Sequence, residues 1–160
     1  MAVNAFITFE KVSVGSVPEA FEIKDFSFGV ENATTIGSAT GGAGTGKIKF
    51  NEFTIKKTSN QSSPAFFKNC CAGAHYKTVT VSMRKIGREA ASGEFLRFKF
   101  DTVFTTKIDW SGPGDEGPEE SITFVYGKLG IRCTPEPGSK PVAAGWDQVT
   151  NKAADDFATS

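Results

Sequence analysis

Apolar and polar residues alternate with period two along most of the chain, which is the signature of β-strands with one buried face. Residues 3–9 form a short β-rich run. In residues 21–30, Phe21 and Ile23 share one phase, and then Phe26, Phe28 and Val30 take the other. Residues 47–57 behave alike: Ile48 and Phe50 are in one phase, Phe53 and Ile55 in the opposite one. A phase change inside one run predicts a bulge or a bend, as barrels use to turn corners. Val79, Val81 and Met83 define a face in residues 78–86. In residues 94–109, Leu96, Phe98, Phe100, Thr102 and Phe104 oppose Arg97, Lys99 and Asp101. Residues 121–133 place Ile122, Phe124 and Tyr126 together, then Leu129, Ile131 and Cys133 after a slip at Gly127. Six or more such strands predict an antiparallel sandwich or barrel.

Residues 62–73 break this pattern and predict a short helix. Ser63 is placed to cap its N-terminus, Pro64 fits the first helical position, and Gly73 suits a left-handed C-terminal residue. Phe66, Phe67 and Cys70 would form the apolar stripe that packs on the sheet. Residues 37–46 and 112–118 read as glycine-rich loops. The Pro-containing segment from Thr134 ends in a polar tail, which sets a single domain over residues 1–152 and a tail over 153–160. No tandem repeat is visible.

Composition narrows the function. The chain has 160 residues, with 18 basic and 18 acidic side chains. Zero net charge argues against a strongly basic nucleic-acid binder and against attachment to an anionic membrane by charge. It also removes the repulsion that keeps copies apart, so self-association is in view. Residues 61–110 hold eight basic and four acidic side chains, and residues 111–160 hold four and eight. Such opposite signs could favour like-with-like stacking. The N-terminus has no basic leader followed by an apolar run, so no conventional secretory signal is expected. No segment approaches the ~20 apolar residues of a membrane-spanning helix. The three cysteines, Cys70, Cys71 and Cys133, lack zinc spacing and read as reduced, part-buried thiols of a cytosolic protein.

The motifs that look chemical do not hold together. Gly41-Gly42-Ala43-Gly44-Thr45-Gly46-Lys47 matches the start of a phosphate-binding loop, but Ile48 stands where Ser or Thr should bind Mg²⁺. A strand, not a helix, is expected to follow. Asp115, Glu116, Glu119 and Glu120 cluster in a Gly/Pro segment and read as a solvated loop rather than a catalytic carboxylate pair. His75 reads as a structural or hydrogen-bonded histidine. No catalytic, cofactor-binding or metal-ligating set is expected, and the chain does not read as an enzyme.

Several local features nevertheless occur in a telling order. They are Met1-Ala2-Val3 with Phe6-Ile7, Phe26-Ser27-Phe28-Gly29, the Gly41–Lys47 run, Ser63-Pro64 with Phe67, Gly73 and His75, Arg84-Lys85 with Gly87, Glu120-Ser121-Ile122-Thr123-Phe124, and Gly145-Trp146-Asp147. Together they resemble the haemolysin-coregulated protein (Hcp) family, the inner-tube proteins of the bacterial type VI secretion system. That family commonly has Trp-Ser-Trp-Gly where this chain has Phe26-Ser27-Phe28-Gly29. The resemblance implies an antiparallel β-barrel with one flanking helix that assembles as a homo-hexameric ring. It further implies rings stacked into a hollow tube, partnered by a spike protein, a contractile sheath and small effector proteins carried in the lumen. The protein would be made in the bacterial cytoplasm and then secreted without a signal peptide. Ser27, opposite in phase to Phe26 and Phe28, is expected to face the lumen and its cargo. The loop holding Gly41, Gly42, Gly44, Gly46 and Lys47 is expected to contact neighbouring subunits or rings. The competing readings are a monomeric β-barrel ligand-binding module and the tube protein of a phage-tail-like contractile injection system.

Overall fold

A computed structural model describes residues 3–12, 20–33, 48–85, 93–115, 117–135 and 138–160. The strands are Val3–Val12 (β1), Phe21–Ile23 (β2), Asp25–Ser27 (β3), Val30–Asn32 (β4), Ile48–Phe50 (β5), Phe53–Thr58 (β6), His75–Lys85 (β7), Glu94–Gly114 (β8), Gly117–Cys133 (β9), Val142–Asp147 (β10) and Lys152–Ala153 (β11). Two helices, Ser63–Ala72 (α1) and Asp155–Thr159 (α2), complete the described elements.

All pairings are antiparallel. One sheet runs β11-β10-β9-β8-β7-β1-β2, and β6 joins it by pairing with both β9 and β3. The run from Phe21 to Ser27 closes the barrel. Its first half pairs with β1 and its second half with β6, and at the bend between them the Lys24 N–H donates to the Lys56 carbonyl at 2.8 Å. That bend is the phase change read from the sequence. The long β9 serves two neighbours: Glu119–Phe124 pairs with β6, and Lys128–Cys133 pairs with β10. β4 and β5 form a separate two-stranded ribbon.

The barrel turns a corner at Thr102, which has a left-handed φ of 53°. Phe100 and Val103 both point into the core there, so Phe104 turns outward, contrary to the unbroken alternation expected for β8. The core itself is phenylalanine-rich. Phe53 stacks on Phe100 at 4.4 Å, and Phe28 meets Phe98, Phe100 and Phe53 edge-on. Each such pair adds about 0.5–1.5 kcal/mol beyond the area it buries.

Helix α1 packs against one end of the barrel. Gly73 ends it at φ 65°, with its N–H directed to the Asn69 and Cys70 carbonyls, as its sequence position predicts. The start differs from expectation. Ser62, not Ser63, is the capping residue and makes no side-chain cap bond. The Ser63 hydroxyl instead accepts the Asn60 N–H at 2.9 Å and a hydrogen bond from Lys57 at 3.1 Å. The buried face is Phe66 and Asn69, with the Asn69 amide donating to the Tyr76 hydroxyl at 3.0 Å. Phe67 faces out, against Trp110.

The segment after Asp147 folds back onto the sheet. β11 pairs with β10, and α2 lies over β9 and β10. Two glycines make the seat. A Cβ on Gly145 would lie within 2.4 Å of the Ala154 carbonyl oxygen, and one on Gly130 within 2.8 Å of the Ala158 backbone. Phe157 is held by the ammonium groups of Lys99 and Lys128, 4.6 and 5.2 Å from its ring centre.

Candidate functional site

Of the acidic cluster read as a solvated loop, Asp115 is an exposed turn residue, Glu116 lies outside the described residues, and Glu119 and Glu120 belong to a strand. β8 and β9 extend to Gly114 and Gly117, and Glu120 lies inside β9, 1% exposed. β6 places Lys57 directly opposite it, also 1% exposed, with Nζ 2.7 Å from the carboxylate. The pair is completely partnered. Lys57 also donates to the Ser63 hydroxyl and the Thr58 carbonyl, and the other Glu120 oxygen accepts from Ser59 and from the Trp110 indole N–H at 2.9 Å. Burial pushes the Glu120 carboxyl pKa up. Hydrogen bonds from Lys57 and Trp110 and the Lys57 charge outweigh it and hold the group below the ordinary glutamate range. With every donor and acceptor spent inside the protein, the pair fastens α1 and the β8–β9 hairpin to the barrel and offers no free acid or base for chemistry. Sequence spacing could not find it, because its partners are 63 residues apart.

His75 begins β7 on the exposed side, its ring beside Phe104. Cys71 and Cys133 are exposed and Cys70 is half-buried; all three are free thiols. Among the described residues, no group of three or more His, Cys, Asp or Glu could hold a metal ion, and no helix is long and apolar enough to cross a membrane.

What the fold does present is two contrasting surfaces. The first surrounds Ser27. Phe26 and Phe28 turn toward the core, and Ser27 is exposed. Register then sets Ser27 beside Thr54, and Thr54 beside Thr123, with the two threonine hydroxyls 3.2 Å apart. Thr106 adds a fourth hydroxyl, donating to the Thr123 carbonyl. The next row reads Asp25, Lys56, Ser121, Asp109, and Lys107 lies 3.3 Å from Asp109. This wall is small, hydroxylated and internally charge-compensated.

The second surface is an open apolar groove of about 400 Å³ between the β4–β5 ribbon and the inner face of β9–β10. Val30, Ile48 and Phe50 line one side, and Leu129, Ile131, Ala144 and Trp146 the other. Ile131 and Val142 keep the core-facing phase of their strands yet are 41% and 70% exposed. The Trp146 indole N–H is buried without a hydrogen-bond partner. Ile131 was read from the sequence as an inward residue, which it is in phase; the pattern gave no sign that the barrel stops short of covering it. Gly41, Gly42, Gly44, Gly46 and Lys47 lie outside the described residues. Their flank is Ile48–Phe50, a strand paired with β4, so no helix opens directly after Lys47 as a phosphate-binding loop requires.

Comparison with known proteins agrees with this architecture. The family model for "Type VI secretion system effector, Hcp" matches residues 11–132. No curated protein sequence matches. Among solved structures, one described as a type six secretion system protein superposes with a TM-score of 0.82 at 23% identity, covering 96% of this chain and all of that one. Hcp1 from Salmonella typhimurium gives 0.75 at 19% identity, with 96% and 100% coverage. A type VI secretion system effector from Yersinia pestis gives 0.66 at 22% identity, with 89% and 98% coverage.

Proposed function

The chain belongs to the Hcp family of type VI secretion proteins, and from that membership we propose that it is a structural tube subunit whose copies close into six-membered rings. The rings stack into a hollow tube that sheath contraction expels beneath a spike protein, with small effectors carried inside. The observation that carries this reading is the apolar groove. Core-phase residues left bare at the rim of β9–β10 form an apolar surface that another chain can cover. A ring interface is heterologous, so each subunit offers one surface to a different surface of its neighbour. Here the neighbour would supply apolar side chains to Ile131 and Ala144.

The Ser27 wall supports the other half of the reading. A lumen that conducts folded cargo needs a surface of short polar side chains without net charge, which neither grips nor repels what passes. Ser27, Thr54 and Thr106 supply it, over the buried Thr123. The loop with Gly41, Gly42, Gly44, Gly46 and Lys47 lies between β4 and β5 in the chain and in this reading makes ring-to-ring contacts. The subunit then works without catalysis, and it leaves the cell through the machine.

Light scattering after size exclusion tests the groove. Wild type elutes at the mass of six subunits, and Ile131→Glu elutes as a monomer with an unchanged β-rich circular dichroism spectrum. An Ile131→Glu protein that still forms the six-subunit species would remove the groove from the interface.

A further inference from the structure

We propose that the outward face of the β8–β9 hairpin carries an oxyanion-binding site built on Arg97 and Arg132. Register sets these residues directly opposite each other, with Ser82 beyond Arg97 on β7 and Ala143 beyond Arg132 on β10. Their strand neighbours Phe98 and Ile131 take the opposite, core-side phase, so both guanidinium groups emerge on one face. Like charges directly across a ladder are unfavourable unless an anion lies between them.

The hydrogen-bond arrangement leaves both arginines short of partners. Both Nε atoms are buried, and neither has a hydrogen-bond partner. The carboxylate beside them belongs to Glu94. One of its oxygens is 3.9 Å from Arg97 Nε and the other accepts from the Ser82 hydroxyl at 2.8 Å, which holds it on the β7 side of the pair. Arg132 has no ion pair among the described residues. Arg97 Nη2 donates to the Ser160 carbonyl at 3.3 Å, and Lys99 Nζ donates to the Ser160 hydroxyl at 2.8 Å. The end of the α2 strap therefore walls one side, where Lys99 of β8 stands as a third cation at the rim. On the β10 side, Ala143 offers only a methyl group and leaves Arg132 approachable.

Two guanidinium groups on one face match the oxygens of a carboxylate or a phosphate, which accept paired hydrogen bonds from their terminal nitrogens. The ligand is an oxyanion, either a carboxylate on an acidic segment of a protein or a free phosphate-type anion. The site does not depend on the ring reading, because it lies on the opposite face of the sheet from the groove.

Isothermal titration calorimetry of the full chain in 20 mM NaCl tests this with two probes, inorganic phosphate and an acetylated tetraglutamate peptide. Wild type is expected to bind, and Arg132→Gln and Arg97→Gln each to lose at least tenfold in affinity. Arg132→Lys should recover only part of the loss, since it restores charge without the fork. Lys140→Gln, removing an exposed cation outside the site, should bind as wild type. Tighter peptide than phosphate binding assigns the ligand to a protein, and the reverse order to a free anion. If the arginine variants fail to fold, a rise in wild-type melting temperature in phosphate over equal ionic strength of chloride supports the site, and no rise overturns it. Failure of both probes to bind wild type, or an equal loss in Lys140→Gln, also overturns it.

Discussion

Replacing Lys57 with Met isolates the contribution of the buried ion pair. Methionine keeps an unbranched chain of similar length, so the packing against Phe21 and Phe66, whose rings lie 5.4 and 5.7 Å from the ammonium, is largely kept. What remains is the Glu120 carboxylate, 1% exposed, with Ser59 and Trp110 as its donors. Breaking a buried pair by removing one partner costs about 3–5 kcal/mol. The two surviving donors place this case near the lower end, at about 3 kcal/mol. For a domain of this size, 1 kcal/mol moves the melting temperature by about 2–4 °C, so Lys57→Met should melt about 6–12 °C lower. The double variant Lys57→Met/Glu120→Leu removes both charges, and such replacements are often neutral or stabilising. Trp110 is half-exposed and can turn its N–H to water, so the double variant should recover most of the loss. Thermal unfolding followed by circular dichroism, at one fixed protein concentration because assembly shifts apparent stability, reads all three proteins. A single variant within about 1 kcal/mol of wild type, or a double variant no more stable than Lys57→Met, would refute the reasoning.

The same pair predicts a pH dependence. Glu120 is depressed in the folded state, so its contribution is complete above the unfolded glutamate pKa of about 4.3 and is lost as pH falls through the lower folded value. Wild type should therefore lose melting temperature below about pH 4 more steeply than Lys57→Met/Glu120→Leu, and parallel curves would contradict this. Gly145→Val should unseat the strap, because no side chain fits beneath the Ala154 carbonyl. Hydrogen exchange would then speed up over residues 152–160 and stay slow at Val79 and Val81, at a cost of about 1–3 kcal/mol. Gly42→Glu should impair ring stacking while leaving the barrel folded; a lost β-sheet spectrum in that variant would show that the loop serves folding instead.

The barrel was readable because its strands alternate cleanly and their phase changes fall at real bends, as at Lys24. Helix α1 was readable from Pro64 and Gly73, whose backbone preferences are local. What escaped were features set by distant partners. Ser63 looks like a cap, but Lys57 and the Asn60 N–H claim its hydroxyl. Glu120 sits among acids and glycines, and only the register with β6 shows that it is buried. β10 is short, with small residues Ala143, Ala144 and Gly145, and so lacks the apolar rhythm of a strand. Its glycine makes sense only once α2 is seen lying on it. Ser27 was correctly phased against its flanking phenylalanines, but the hydroxyl row it joins spans four strands and exists only in the folded sheet.

The central claim is that this barrel is a ring-forming tube subunit, and native mass spectrometry with negative-stain imaging at micromolar concentration tests it most directly. The account predicts a six-subunit mass and annular particles with an open centre. A monomer that persists at high concentration and low salt would contradict it, leaving the fold in place and the apolar groove to some other partner.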